Sequence, residues 1–220
     1  MLENIIAVFN KYNMAFFEGL RLTLVLSAFT VGFGTLFGAL VSLCKMSKFK
    51  IPRFFATAYI EVIRGTPLLL QVYVFYFFVP RAIGFDPGKF ASILMALVVN
   101  SAAYISEIIR AGIQAVDKGQ TEASRSLGLN ASQTMIKIIL PQAFKNILPA
   151  LGNEFIMIIK ETSLASVFFL GEIMSATNII KSATYTTLEP YLIAGAFYFV
   201  CTFTLSKLLA FYERRLKTSD

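Results

Sequence analysis

Apolar residues fall in five long runs, at about residues 20–43, 54–79, 90–113, 147–170 and 188–209. Each is close to the roughly 20 residues a helix needs to cross a bilayer. None shows the strict alternation of a half-buried strand. The pattern predicts an all-α integral membrane protein with five transmembrane helices, in a single transmembrane domain over 1–220. Two runs carry interruptions: Arg64-Gly65-Thr66-Pro67 lies inside the second and Lys160-Glu161 inside the fourth. Before the first run, residues 2–9 read as a short amphipathic stretch at the interface. Glu3 precedes any basic residue and the apolar run starts late, so a cleaved signal peptide is not expected.

The one long polar stretch is 116–141. Asp117 followed by Gln120 has the form of a helix N-cap. Residues 121–127 make two turns, and Gly128 suits a left-handed C-cap. Asn130 and Gln133 repeat the capping signal ahead of an apolar segment that Pro141 is expected to stop or kink. The result is two short helices around a Gly turn, with Leu127 and Leu129 beside it. Such a hairpin suits docking into a groove on a partner, although a partnerless interfacial hairpin fits the same pattern.

Composition agrees with the pattern. Of 220 residues, 56% are hydrophobic and 15% charged, against about 45–50% and about 25% in soluble domains. This excludes a soluble or disordered chain. With no histidine, imidazole catalysis and His-metal sites are excluded. Cys44 and Cys201 lie in apolar runs and read as small core hydrophobes.

The net charge of +7 acquires meaning only once the spans are placed. Lys45, Lys48, Lys50 and Arg53 follow span one. Arg110, Lys118, Arg125, Lys137 and Lys145 follow span three, and Lys207, Arg214, Arg215 and Lys217 end the chain. Lys11, Arg21, Arg81, Lys89 and Lys181 lie on the other side. The positive-inside rule then puts the N-terminus outside and the C-terminus in the cytoplasm, which requires an odd number of spans. The excess is a topological signal, so no nucleic-acid partner is expected.

Glu122-Ala123-Ser124, then Gly128 after three intervening residues, then Ile138-x-Leu140-Pro141 after nine more, resemble the EAA motif of ABC importer permeases. Ser124 replaces the second Ala, a small-for-small change. Residues 19–24, 61–71, 104–113, 119–122 and 160–164 are similar to the polar amino acid (histidine, glutamine, arginine) permease subfamily. The resemblance implies a type I ABC importer permease fold in the bacterial cytoplasmic (inner) membrane. It implies a second permease subunit, with a homodimer favoured over a paralogue. It also implies an ABC ATPase docked on the loop, an extracytoplasmic binding protein and an amino acid substrate. Glu122, Ala123, Ser124, Gly128, Leu129, Leu140 and Pro141 would couple to the ATPase, with Leu129 as an inserted apolar knob. No Gly-x-x-x-x-Gly-Lys-Ser/Thr loop occurs, so no cofactor is expected on this chain and ATP and magnesium belong to the partner.

Ionisable groups within spans are costly and so are functional candidates. Glu61 with Arg64, and Glu107 with Arg110, are spaced to pair on one helix face. Lys160 and Glu161 either break the helix or line a water-filled cavity. Thr66 and Pro67 mark either a broken helix lining a cavity, its freed groups left to ligand or water, or a simple proline kink. Asn100 and Tyr104, one turn apart, share a face toward that cavity. Glu154, beside Asn153, has no opposite charge at helical spacing. It either neutralises a basic substrate side chain or pairs with Arg64 or Lys160 from another span or subunit. Gln71, Glu161 and Ser163 complete the candidate substrate contacts. A secondary transporter or channel without an ATPase is the rival reading.

Overall fold

The computed structural model describes residues 1–217, with side chains through Arg215. The Lys217 charge counted above therefore lies outside the described side chains. The chain is helical almost throughout: α1 (Leu2–Met46), α2 (Lys50–Arg64), α3 (Leu68–Tyr73), α4 (Val79–Ile83), α5 (Lys89–Gln114), α6 (Lys118–Ser126), α7 (Ala131–Thr134), α8 (Leu140–Glu161), α9 (Ile173–Thr184) and α10 (Leu188–Lys217). Three helices are long and apolar enough to cross a membrane, and five spans result if each of two bent helix pairs counts as one.

The stretch at 2–9 is not a separate segment. It is the start of α1, a continuous helix of 45 residues, roughly 67 Å long. Val8 and Phe16 anchor this N-terminal half against Ile173 and Ile180 of α9 and Ile193 and Ala194 of α10. Tertiary packing therefore holds the first turns, where the sequence suggested only a lipid surface.

Helix α1 is built inside out. Gly19, Thr23, Ser27, Thr30, Gly34, Gly38 and Ser42 are buried, while Phe29, Phe33, Leu36, Phe37 and Leu40 are exposed. Lipid is as apolar as leucine, so helices associate by close packing of small residues. A Cβ on Gly34 would lie 3.0 Å from Ser101 Oγ, and one on Gly38 2.9 Å from the Ala102 carbonyl oxygen. These two glycines bring α1 against α5, the most deeply buried of the spanning helices.

The second run breaks where expected, and by more than a kink. Gly65 ends α2, Pro67 starts α3, and the two halves meet at 106°. Two further prolines act differently. Val74–Phe78 and Met135–Ile139 are π-helical, and each precedes a proline, Pro80 and Pro141, by two residues. The Val79 and Leu140 N–H groups donate five residues back, to Val74 and Met135. A widened turn relieves the clash of the proline ring with the carbonyl four residues back. Pro141 therefore does not stop its helix, which continues to Glu161.

The fourth run differs most from expectation. After Glu161 the chain tightens into a 3-10 segment, Thr162–Phe168, turns through Phe169 and Gly171 with positive φ, and resumes as α9 at 46°. Lys160 and Glu161 close α8 and mark the change from α to 3-10 winding, while the bend itself falls after Phe168. The second half of this bent pair, α9, lies where no span was expected.

Candidate functional site

The break at Gly65–Pro67 frees backbone carbonyls that a helix would have satisfied. In the broken-helix reading they await ligand or water. Instead the buried Gln71 side chain reaches back, its Nε2 donating to the Ile63 carbonyl (2.8 Å), the Thr66 carbonyl (3.2 Å) and Thr66 Oγ1 (2.9 Å). Asn100 Nδ2 of α5 donates to Gln71 Oε1 at 2.9 Å. Thr66, Gln71 and Asn100 are thus one hydrogen-bonded group, and Pro67 sits at its edge as the N-cap of α3.

Tyr104 does not join it. One turn along α5, its ring lies under the Arg64 guanidinium, 5.1 Å from centroid to Cζ. Arg64 also reaches Glu107 at 4.0 Å, so it turns to α5 and does not pair with Glu61. Glu107 accepts from Lys45 of α1 at 2.7 Å and from Arg110 at 2.8 Å as well. The expected Glu107–Arg110 pair is therefore present within a larger hub tying α1, α2 and α5 together. Spacing along one helix identified that pair; it carried no information on Lys45 or Arg64.

Glu154 projects from α8 into the interior, 8% exposed. Its only hydrogen-bond donor among the described residues is Ser101 of α5, at 3.3 Å. No cation of this chain lies within ion-pair distance of it among the described residues. The alternative pairing with Arg64 or Lys160 is absent within the chain. Ser101 adjoins Asn100 in sequence, so α5 carries a partner of Glu154 and a partner of Gln71 at successive positions. Asn153 is exposed on α8, and Glu161 and Ser163 are half-buried at its end.

One buried carboxylate escaped the sequence reading. Glu172, fully buried, caps α9 by accepting from Met174 N at 2.6 Å, Ser175 N at 2.9 Å and Ser175 Oγ at 2.6 Å. A carboxylate over a helix N-terminus is stabilised by the unpaired N–H groups and the helix dipole. The signal was Glu172 with Ser175 three residues on, after Gly171.

The polar hairpin forms much as expected. Asp117 caps α6 through Gly119 N at 2.7 Å. Gly128 has φ +87, and Asn130 and Gln133 make a reciprocal capping box at 2.9 Å in both directions. Ser124, the departure from the motif, is buried and its Oγ meets Thr134 Oγ1 at 3.1 Å, joining α6 to α7. Alanine there would lose this link. Glu122, Ala123 and Pro141 are exposed and Leu140 is half-buried. The exposed apolar tip of the turn is Leu127, 84% accessible; Leu129, expected as the knob, is half-buried.

Apolar helices broken beside buried polar groups, with a capped polar hairpin between two of them, are the build of a membrane transport subunit. The chain belongs to the family of binding-protein-dependent transport system inner membrane components, whose family model matches residues 34–218. It is an ABC permease, a multi-pass membrane protein and a transport subunit with no catalytic role of its own.

Among its relatives, the arginine transport system permease protein ArtQ of Bacillus subtilis is 44% identical over 203 residues, covering 92% of this chain and 93% of ArtQ. A putative glutamine transport system permease protein, GlnP of Rickettsia bellii, is 41% identical over 92% and 93%. Among solved structures, one described as an amino acid ABC transporter with histidines is 49% identical with a TM-score of 0.90, covering 94% of this chain and 96% of that one. The inward-facing MetNI methionine transporter matches at 18% identity and a TM-score of 0.71 over 91% and 93%, a likeness of fold.

Proposed function

We propose that this chain is the membrane-spanning subunit of a type I ABC importer for polar L-amino acids, with basic side chains preferred. It works in the bacterial cytoplasmic membrane, N-terminus outside and C-terminus inside. Two copies pair around a translocation path. Each docks an ATPase through 116–141, by way of Glu122, Ala123, Ser124, Gly128, Leu129, Leu140 and Pro141. ATP and magnesium are used by that ATPase, and this chain binds no cofactor. An extracytoplasmic binding protein delivers the amino acid. ATP-driven closure of the ATPases opens the path outward, and hydrolysis returns it inward.

The observation that carries the substrate reading is Glu154. A buried carboxylate without a counter-charge is expensive, and its Ser101 contact is long. A guanidinium or ammonium entering the path supplies the missing charge through a charge-assisted hydrogen bond. Asn153, Asn100, Tyr104, Thr66, Pro67, Gln71, Glu161 and Ser163 are the proposed surroundings of the substrate. The names of two relatives, for arginine and glutamine, support a polar amino acid and bracket the choice between basic and neutral side chains.

The test is uptake of labelled arginine and glutamine by Glu154→Gln in proteoliposomes. A charged hydrogen bond contributes about 1.5–3 kcal/mol, so arginine uptake should fall roughly 10- to 100-fold relative to glutamine. Unchanged arginine uptake sinks the role of Glu154. The rival, a secondary transporter, predicts uptake driven by an ion gradient with no ATPase chain present.

A further inference from the structure

Between α1, α2 and α5 lies a cavity of about 410 Å³ lined by Lys45, Met46, Arg53, Thr57, Arg110 and Gln114. It shares no lining residue with the Thr66–Gln71–Asn100 group or with Glu154, and plays no part in the transport reading. We propose that it holds the phosphate-bearing headgroup of an anionic phospholipid of the cytoplasmic leaflet.

Three cations line the cavity; two of them, Lys45 and Arg110, share the Glu107 carboxylate, and Arg53 has no carboxylate partner among the described residues. That leaves an excess of positive charge before Arg64, which also reaches Glu107, is counted. Among the described residues the cations also retain free donors. Lys45 uses one of its three N–H groups on Glu107. Arg53 directs Nε and Nη2 at the Ser47 carbonyl, at 3.1 and 2.7 Å, leaving Nη1 open. Arg110 is turned by Glu107 and Gln114 so that its guanidinium forms one wall. Arginine forks and an ammonium held in place, with the Thr57 hydroxyl, are the chemistry that recognises a phosphodiester.

The surroundings favour a lipid over free phosphate. On two of the helices that line the cavity, α2 exposes Ile51, Phe54 and Phe55 and α1 exposes Leu40 and Leu43. The Phe54 and Phe55 rings meet edge to face at 5.6 Å. A headgroup in the cavity would lay its acyl chains along this apolar wall. Basic pockets between helices at the cytoplasmic surface are where anionic headgroups gather. The inference rests on the proposed cytoplasmic placement of 44–53. Sidedness is checked separately by maleimide labelling of Lys48→Cys, so a wrong topology is distinguished from a wrong ligand.

The experiment measures lipid retained by the purified complex, by native mass spectrometry after exchange into detergent with equal phosphatidylglycerol and phosphatidylcholine. Phosphatidylglycerol should be retained at least fivefold over phosphatidylcholine, since each basic group near a headgroup contributes about fivefold. Arg53→Gln should lose about fivefold of that preference, and Lys50→Gln, outside the cavity on the same helix, should keep it. Equal retention of both lipids by the unaltered complex overturns the proposal, whatever the variants do. So does an equal loss in Lys50→Gln. Displacement of phosphatidylglycerol by millimolar inorganic phosphate overturns the lipid as the ligand and assigns the site to the free anion.

Discussion

Gly38 faces the Ala102 carbonyl across the α1–α5 contact, while Gly32, an earlier residue of the same helix, has open space around it. The same change therefore has different consequences at the two positions. Gly38→Ala should destabilise the protein by about 1–3 kcal/mol, the usual cost of overpacking. Gly32→Ala should be neutral or slightly stabilising, because alanine favours helix. Thermal unfolding of the purified complex checks the pair; equal effects would contradict the close approach. Glu107 is a second residue whose role is set by its neighbours. Glu107→Gln leaves Lys45, Arg64 and Arg110 facing one another. Because the hub is partly solvated, the expected loss is about 1–2 kcal/mol, read as a lower unfolding temperature that salt partly restores.

At the scale of elements, the α2–α3 break and the α6–α7 hairpin carry the function proposed. Gln71 closes the break by meeting two freed carbonyls. Gln71→Ala should cost about 1–3 kcal/mol in stability, the penalty for buried groups left unpaired. At the hairpin, Gly128 holds φ +87, which costs about 1–2 kcal/mol for a residue with a Cβ. Gly128→Asp should leave the protein inserted but uncouple ATP hydrolysis from uptake; normal uptake in that variant would count against coupling through this turn. Local signals made both elements readable from sequence: Gly-x-Pro for the break, and two N-caps flanking a glycine for the hairpin. Long-range partners hid the rest. Nothing near Arg64 in sequence points to Glu107. The inward stripe from Gly19 to Ser42 is visible only as a glycine-rich run until α5 is placed beside it. Pro141 reads as a stop because a π-turn two residues ahead leaves no mark other than the proline itself. Asn100, Gln71 and Thr66 were named as candidates, yet only the folded chain joins them into one group.

For the whole molecule, the five-span reading depends on treating α2–α4 and α7–α9 as one bent span each. The proposed orientation makes a direct prediction. With Cys44 and Cys201 replaced, an impermeant maleimide should label Tyr185→Cys, at a 96% exposed turn, from outside intact cells. It should reach Lys48→Cys only after permeabilisation, and the reverse pattern would invert the topology. The central claim is that this chain forms an amino acid path driven by a separate ATPase. The most direct test is ATP hydrolysis by the complex in proteoliposomes, supplied with its binding protein and a panel of amino acids. Hydrolysis should rise with arginine or lysine, and uptake should require ATP. Amino acid uptake by this chain without any ATPase subunit, or hydrolysis indifferent to every amino acid in the panel, would contradict the claim.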